Sequence, residues 1–351
     1  MKNPKHIGLL ALLLLVVSVG AVTWMGGHLH RPLLLSEPRT LEVAPGEGLS
    51  RVLLEIQNQG LLGDPAEARV RRLSARLYDL FTGVSQRIHV GEYRLEPEDS
   101  LLTLLSRLER GDVIQRTFTL VEGWNIRELR RALAEVPGLR HDTLDWDNER
   151  LMAELGEPDM HPEGWFAPDT YFYVKGDSDL LVLSRALARQ QALLEQIWSQ
   201  RDPDLPLDSA YDALILASIV EKETGVPAER PRIAGVFVSR LRKGMRLQTD
   251  PTVIYGMGAD YDGNIRRRDL RTPTPYNTYV IKGLPPTPIA MPGADALRAV
   301  AQPLETGDLF FVARGDGSHV FSETLEQHEQ AVRAYQLQRR SDYRSAPGAP
   351  Q

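Results

Sequence analysis

The chain has 351 residues, which is enough for about two domains with cores of their own. Its 41 Lys and Arg residues against 47 Asp and Glu residues give a net charge of -6, and this acidic balance argues against nucleic acid as the main partner. Cysteine is absent, which excludes disulfides, thiolate metal sites, cysteine nucleophiles and a lipid anchor on cysteine.

The N-terminus predicts a membrane anchor. Lys2 and Lys5 precede residues 7–25, an uncharged run of about nineteen residues that is long enough to cross a bilayer core. Positive charge before the span predicts a cytoplasmic N-terminus and a body on the far side of the membrane. We therefore predict a single-pass transmembrane helix within residues 1–27, followed by a linker over residues 28–39. A signal peptide cleaved near Ala21 is the alternative.

Residues 40–116 predict a small α+β module. Strand–turn–helix patterns begin at Leu41, Tyr93 and Phe118, and a helical hairpin lies between the first two. Residues 41–114 therefore predict the order strand, helix, helix, strand, helix. Such a module either binds carbohydrate or acts as a spacer that sets the height of the remaining chain above the membrane.

Residues 161–174, HPEGWFAPDTYFYV, are rich in aromatic residues and turns. Aromatic faces beside Glu163 would suit a sugar-binding wall, because C–H faces of sugars pack on rings while carboxylates accept hydroxyl protons. Core packing of these rings is the alternative.

A buried helix that ends in acids is predicted next. Residues 213–220, ALILASIV, are apolar at nearly every position, and Asp208 is the predicted N-cap. Glu221 and Glu223 fall in the last turn, where the helix dipole and desolvation both raise the pKa of a carboxyl group. A general acid near neutral pH needs such a raised pKa. The alternative is that these acids mark where the helix reaches water, and the helical spacing does not decide between them.

From residue 247 the chain becomes polar and rich in turns. The proline-dense residues 273–293 predict an extended, rigid path over the surface. A strand from Leu309, a Gly-Asp-Gly turn and a second strand ending at Phe321 come next, then a helix over residues 325–339 and a disordered tail over residues 341–351. His319 lies beside the turn, either in a cleft or on the surface.

Several chemistries are excluded by their missing motifs. The sequence has no Walker motif, no Rossmann glycine fingerprint, no HExxH-type metal spacing and no GxSxG elbow. What remains is acid chemistry in a cleft with hydrogen-bonding side chains, and Gln248, Tyr255, Asn277 and Tyr279 are candidates to line it. No metal and no cofactor are expected.

Five segments together closely resemble the YceG-like, or MltG-like, family of endolytic murein transglycosylases. They are ASIVEKET at residues 217–224, RLRKGMRLQTDPTVIYG at 240–256, TPYNTYVIKGLPPTPIAMPG at 274–293, GDGSHVFSETLEQH at 315–328 and EGWFAPDTY at 163–171. The segments are long and collinear.

The resemblance implies an α+β fold with an N-terminal transmembrane helix, a LysM-like module over residues 40–116 and a larger catalytic domain over residues 117–340. It also implies an enzyme of the bacterial inner membrane whose periplasmic body cuts MurNAc–GlcNAc bonds of nascent glycan strands, leaves 1,6-anhydro-MurNAc ends and terminates strand elongation. Cell-wall synthases of the penicillin-binding type are the expected protein partners.

In this family the first glutamate of IVEKET is the catalytic acid, which is Glu221 here. Single-acid catalysis is reasonable because the acetamido group of the substrate replaces a second carboxylate. The expected substrate-binding residues are Glu163, Gln248, Asp250, Tyr255, Asn277 and Tyr279. For Asp250 and Asn277, turn formation is an equal alternative.

Two other functions fit the same sequence. One is a non-enzymatic peptidoglycan-binding scaffold that recruits cell-wall synthases, and the other is a muramidase-type hydrolase. The first has no need of an acid on a buried helix, and the second would leave reducing ends in place of anhydro ends.

Overall fold

The structure is a computed structural model that describes residues 4–337, with side chains described from residue 12 onward except at position 14. Within these residues, helices and short two-stranded sheets build a mixed α+β fold, as predicted. The chain divides into two compact units. The smaller runs up to Arg116 and includes Phe172–Asp177, and the larger holds Thr117–Tyr171 and continues from Ser178. The tail predicted to be disordered, residues 341–351, lies outside the described residues.

The smaller unit has the predicted order of strand, helix, helix, strand, helix after a first helix. Its elements are α1 (Pro4–Leu29), β1 (Arg39–Val43), α2 (Leu49–Asn58), α3 (Pro65–Thr82), β2 (Gly91–Leu95) and α4 (Leu101–Arg110). Strands β1 and β2 pair antiparallel with Leu41 opposite Tyr93. Both side chains are buried against apolar residues of α2 and α4, such as Leu53 and Leu105. Helices α2, α3 and α4 therefore share one core with the two strands.

Helix α1 covers the segment predicted to be a membrane anchor. Among the residues that the structure describes, no helix is both long and apolar enough to cross a membrane. The predicted anchor is therefore not confirmed.

The larger unit is mostly helical. Its elements are β3 (Arg116–Leu120, shared with the smaller unit at its first residue), α5 (Ile126–Ala134), α6 (Asn148–Glu154), β4 (Asp169–Tyr173, shared at its end), α7 (Asp179–Ser199), α8 (Ala210–Glu223), α9 (Arg230–Arg242), α10 (Asp250–Met257), α11 (Ala294–Ala301), β5 (Phe310–Ala313), β6 (His319–Ser322) and α12 (Leu325–Val332). Strand β3 pairs with β4, and β5 pairs with β6.

Helix α8 lies at the centre of the larger unit. All of its residues from Ala213 to Val220 are buried, and they pack against apolar residues of α9 and α11, such as Phe237 and Val300. This burial on every face explains why the sequence there is apolar without a polar stripe. The last turn, which carries Glu221, is where the helix leaves this core.

The N-cap of α8 is Ser209, so the prediction of Asp208 is wrong. The Ser209 hydroxyl accepts the backbone N–H of Asp212, and the Asp212 carboxylate accepts the backbone N–H of Ser209 in return. This reciprocal capping box satisfies two donors at once, whereas a cap at Asp208 would start the helix one residue earlier.

Helix α10 was not predicted, because residues 247–256 were read as polar turns. Asp250 and Pro251 form its first turn. Backbone N–H groups in the first turn have no partner within the helix, so a proline there costs no hydrogen bond. The Asp-Pro pair was therefore a helix start. At the other end of the unit, α12 ends at Val332 and one π-helical turn follows over Arg333–Leu337. The last two residues of the helix predicted over residues 325–339 lie outside the described residues.

The proline-rich segment was predicted to run over the surface, and part of it is buried instead. Ile289, Ala290 and Met291 are buried. The Ile289 N–H donates to the Ser218 hydroxyl on α8 at 3.0 Å, and the Met291 N–H donates to the carbonyl of Trp124 at 2.7 Å. Proline residues bring no N–H of their own, so such a segment enters a core with few donors to satisfy.

The cap of α8 gives a matched test. Ser209→Ala removes the hydroxyl that accepts the Asp212 N–H, and we expect it to lower the free energy of unfolding by about 1 kcal/mol. Asp208→Ala is expected to change it by less than about 0.5 kcal/mol. Equilibrium denaturation by urea measures both. Equal losses in the two variants would contradict the assignment of Ser209 as the cap.

Candidate active site

A cleft of about 1410 Å³ lies in the larger unit beside the C-terminal turn of α8. Its walls come from the turn after β3, the ends of α8 and α9, the start of α10, the β5–β6 hairpin and α12. The charged and aromatic residues that line it are Glu122, Glu221, Lys222, Glu223, Arg230, Arg240, Asp250, Tyr279, Phe310, Phe311, His319 and His328. Among the described residues, no three side chains of ligand type converge closely enough to hold a metal ion.

Glu221 enters the cleft with its side chain only 4% exposed. Arg230 donates from Nη2 to Oε1 at 2.9 Å, and the backbone N–H of Gly293 donates to Oε2 at 2.9 Å. Burial raises the pKa of Glu221, while the Gly293 bond and the Arg230 charge oppose the rise. Burial outweighs them, so the pKa lies above the ordinary glutamate value. This carboxyl group therefore favours its protonated form more than an exposed glutamate does.

Two neighbours adjust this balance in opposite directions. Arg230 is the first residue of α9 and is 8% exposed, and its Nη2 also lies 3.5 Å from Glu122 Oε2. Glu122 raises the pKa of Glu221 by charge repulsion. Position 293 requires a glycine, because a Cβ atom there would lie 1.9 Å from the Glu122 carboxylate. Neither Arg230 nor Gly293 was identified from the sequence. A cation at a helix N-terminus opposes the helix dipole, and this was the available signal for Arg230.

Glu223, the other acid that the sequence left open, also lines the cleft. Burial raises its pKa to about 7, and the nearby Asp250 charge adds to the rise. Its carboxylate accepts the hydroxyl of Thr249 and interacts with the charge of Arg240. Arg240 itself donates to the backbone carbonyls of Leu247 and Leu309, so it holds the loop and the hairpin together. The cleft therefore contains two carboxyl groups with raised pKa values on one helical turn.

Three of the predicted substrate-binding residues line the cleft: Gln248, Asp250 and Tyr279. Gln248 has a φ of 52°, the left-handed region that residues other than glycine rarely adopt. Its N–H is held by the carbonyl of Thr278 at 3.2 Å. The Tyr279 hydroxyl donates to the exposed Asp250 carboxylate at 2.7 Å. These contacts fix the start of α10 at the rim of the cleft.

Asn277 does not line the cleft. Its side chain is buried, and its amide donates to the carbonyls of Asp269 and Thr272 at 3.0 and 2.7 Å. Its Oδ1 accepts the N–H of Tyr279 at 3.0 Å. Both amide protons are thus used by the backbone, and the structure assigns Asn277 to holding its loop.

Glu163 and Tyr255 form a buried pair away from the cleft lining. Glu163 is fully buried and accepts the N–H of Ile126, the first residue of α5, at 3.0 Å and the Tyr255 hydroxyl at 2.9 Å. Burial raises the pKa of Glu163 to about 7. The pair joins the start of α5 to α10. The sequence predicted substrate contacts for both residues, and the structure shows them in contact with each other and with the backbone.

Most rings of the predicted aromatic wall are in the core, and Phe172 is exposed. Phe166, Tyr171 and Tyr173 are buried, and Trp165 stacks on Tyr211 at 5.9 Å between ring centres. The phenylalanine rings that line the cleft come instead from β5, at Phe310 and Phe311. The sequence predicted this strand but no role for its rings in the cleft. Two adjacent phenylalanines shortly before a Gly-Asp-Gly turn were the available signal.

His319 is on the cleft wall and only 8% exposed, so of its two predicted positions the structure has the cleft and not the surface. Its Nδ1 lies 2.8 Å from Glu229 Oε2 and its backbone N–H donates to Glu229 Oε1 at 2.9 Å. This contact attaches β6 to the turn between α8 and α9.

A sequence model described as the YceG-like family matches residues 41–334. A protein of Bacillus subtilis (strain 168) named endolytic murein transglycosylase is 32% identical over 263 residues, which cover 70% of this chain and 72% of the relative. A protein of the same name from Streptococcus pneumoniae serotype 2 is 24% identical over 281 residues, and the match spans 50% of that longer relative.

A solved structure gives the same indication. The crystal structure of a yceG-like protein from Listeria monocytogenes superposes with a TM-score of 0.54 at 25% sequence identity. The match covers 84% of this chain and 99% of the Listeria chain.

Glu122 and Arg230 give opposite predictions for the pKa of Glu221. Glu122→Gln removes a repelling charge and should lower this pKa, and Arg230→Gln removes an attracting charge and should raise it. NMR titration of glutamate labelled with ¹³C at the carboxyl carbon measures both, with Glu221→Gln to assign the signal. Glu195→Gln, on an exposed position of α7, is the control and should leave the titration unchanged. Shifts in the same direction would contradict the described balance.

Glu163 makes stability depend on pH. Its pKa rises from 4.5 to about 7 on folding, so between these values the folded state binds more protons than the unfolded state. Stability therefore falls as pH rises through this window, by about 3 kcal/mol for this one group. Glu163→Gln does not titrate and lacks this fall. Urea denaturation at intervals from pH 4.5 to pH 8 should show the stability of the wild type dropping relative to that of the variant, and a constant difference would refute the prediction.

Proposed function

The chain belongs to the YceG-like family, and on that premise we propose that it is an endolytic murein transglycosylase that cleaves within glycan strands of peptidoglycan. The observation that carries the proposal is the Glu221 carboxyl group, almost fully buried at the cleft with a raised pKa and two hydrogen-bond donors on it. The relatives named above carry the same activity in their names.

The proposed reaction begins with proton donation. Protonated Glu221 gives its proton to the glycosidic oxygen between N-acetylmuramic acid and N-acetylglucosamine, and the bond from that oxygen to C1 breaks. The acetamido group of the substrate stabilises the positive charge that develops at C1, so a second carboxylate is not needed. The Arg230 guanidinium and the Gly293 N–H then stabilise the carboxylate that remains.

Ring closure completes the cycle. The C6 hydroxyl of the muramoyl residue attacks C1, and its proton passes to the Glu221 carboxylate. A 1,6-anhydro ring forms, no water is consumed, and Glu221 returns to its protonated state. Such use of one group as acid and then base requires a pKa that disfavours neither state strongly. Burial against two donors is the balance that supplies it.

We place the enzyme at the bacterial inner membrane, with a cytoplasmic N-terminus, a single-pass anchor and a periplasmic body that ends nascent strands beside cell-wall synthases. Support comes from the sequence, because Lys2 and Lys5 precede an uncharged run at residues 7–25. Residues 40–116 are proposed as a LysM-like module that either binds glycan or acts as a spacer. No cofactor is part of the proposal.

Product analysis tests the reaction. The purified full-length protein is incubated with isolated glycan strands, and the fragments are measured by mass spectrometry. We expect new ends that lack the mass of one water. Glu221→Gln should lower the rate by about 100-fold or more, because positioned acid–base catalysis contributes this much. Glu195→Gln is the matched control and should retain full activity.

Three outcomes would change the assignment. New ends that are all reducing would assign a muramidase-type hydrolase. Full activity of Glu221→Gln would exclude Glu221 as the acid. A wild type without cleavage, together with complementation of a deletion strain by Glu221→Gln, would favour the non-enzymatic scaffold.

A further inference from the structure

His319 is held on the cleft wall by two aromatic rings. It is the first residue of β6, and its ring lies edge-on to Phe311 at 5.5 Å and to Phe321 at 6.4 Å between centres. Phe311 also lines the cleft. Packing against two rings restricts the rotation of the imidazole.

Glu229 fixes the orientation of the ring from the other side. Its two oxygens accept the backbone N–H of His319 and face Nδ1 at 2.8 Å, and Oε2 also accepts the Thr224 hydroxyl at 3.3 Å. An ionised carboxylate has no proton to donate, so this hydrogen-bond network assigns the proton to Nδ1. In neutral His319 the lone pair is then on Nε2, which is a hydrogen-bond acceptor.

Nε2 is available to a ligand. It has no hydrogen-bond partner within residues 4–337, it lies on the side of the ring away from Glu229, and the His319 side chain lines the cleft. A neutral acceptor beside aromatic faces suits a hydroxyl group on a sugar ring.

We propose that Nε2 of His319 accepts a hydrogen bond from a sugar hydroxyl of the bound glycan strand, and that Glu229 is a positioning residue that keeps this nitrogen an acceptor. The identity of the ligand rests on the proposed function. The alternative is that the Glu229–His319 contact only attaches the β5–β6 hairpin to the turn after α8.

Two substitutions separate these roles. His319→Asn places an amide nitrogen where Nδ1 was, so it keeps the bond to Glu229 and has no atom at the position of Nε2. His319→Gln reaches the position of Nε2 with its amide and loses the bond to Glu229. A ligand contact therefore predicts that Gln substitutes for His better than Asn does, and a purely structural role predicts the reverse.

The measurement is glycan binding without cleavage. Each change is combined with Glu221→Gln in the full-length protein, and a purified glycan fragment of defined length is titrated by calorimetry. We expect His319→Asn to weaken binding by about tenfold and His319→Gln by less than about threefold, the loss that one hydrogen bond to a ligand produces. His141→Asn is the control, because His141 does not line the cleft, and it should leave binding unchanged. Thermal unfolding checks that all variants fold.

Glu229→Gln provides a second readout. In this variant an NH2 group replaces one of the two oxygens, and because the backbone N–H of His319 must keep an acceptor, the NH2 donor faces Nδ1. We expect the ring proton to move to Nε2, which ¹⁵N NMR of the imidazole detects, and glycan binding to weaken with it. A change of tautomer without weaker binding would overturn the proposal.

The outcomes keep this inference distinct from the proposed function. The protein with Glu221→Gln alone is the parent of these variants. If His319→Asn binds glycan as tightly as the parent and the wild type still produces anhydro ends, only the role of His319 is overturned. Weaker binding by His319→Asn with no cleavage by the wild type keeps the role of His319 and overturns the enzyme. Absence of glycan binding by the parent overturns the role of His319, whatever the cleavage result.

Discussion

The arrangement of the larger unit follows from the burial of one carboxyl group, that of Glu221, at the end of a helix. Glu221 has a raised pKa only because α8 is buried on every face up to Val220, so that its last turn starts from the core and ends at the cleft. A helix buried in this way needs neighbours on all sides, and α9 and α11 supply them. The same neighbours supply Arg230 and the Gly293 N–H, since α9 begins at Arg230 and Gly293 caps α11. Packing and chemistry are therefore provided by the same elements.

The proline-rich segment before α11 shows how this constraint acts on the chain. It carries Gly293 to Glu221 through a core in which every unpaired backbone donor would be costly. Its prolines remove some donors, and Ser218 and Trp124 satisfy those of Ile289 and Met291. Ser218 lies one turn before Glu221 on α8, so the helix that carries the carboxyl group also fixes the segment that binds it. The density of prolines was visible in the sequence, but the direction of the segment, inward onto α8, depends on these pairings.

The sequence was sufficient for features that depend on local chemistry. The apolar run of α8, the order of elements in the smaller unit and the two acids at the helix end all follow from periodicity and burial. Periodicity did not separate Glu221 from Glu223, and both have raised pKa values in the structure. The roles of other polar residues depend on distant partners: the amide of Asn277 is used by its own loop, and Glu163 is used by the first N–H of α5. A carboxylate or amide looks the same in sequence whether its partner is a substrate or a backbone.

Glu221 and Glu223 differ in the contacts that stabilise their ionised carboxylates, and this difference bears on which of them is the catalytic acid. Ionised Glu221 accepts one bond from a guanidinium and one from a backbone N–H, both of which exist before and after proton transfer. Ionised Glu223 faces the charge of Asp250, and it relies on the Thr249 hydroxyl and on Arg240, whose guanidinium is already committed to the carbonyls of Leu247 and Leu309. The charged state of Glu221 is thus stabilised by a hydrogen-bonded guanidinium and a backbone N–H, and that of Glu223 by a hydroxyl and by a guanidinium that binds backbone carbonyls. A carboxyl group that must be charged for part of each catalytic cycle is better placed at position 221.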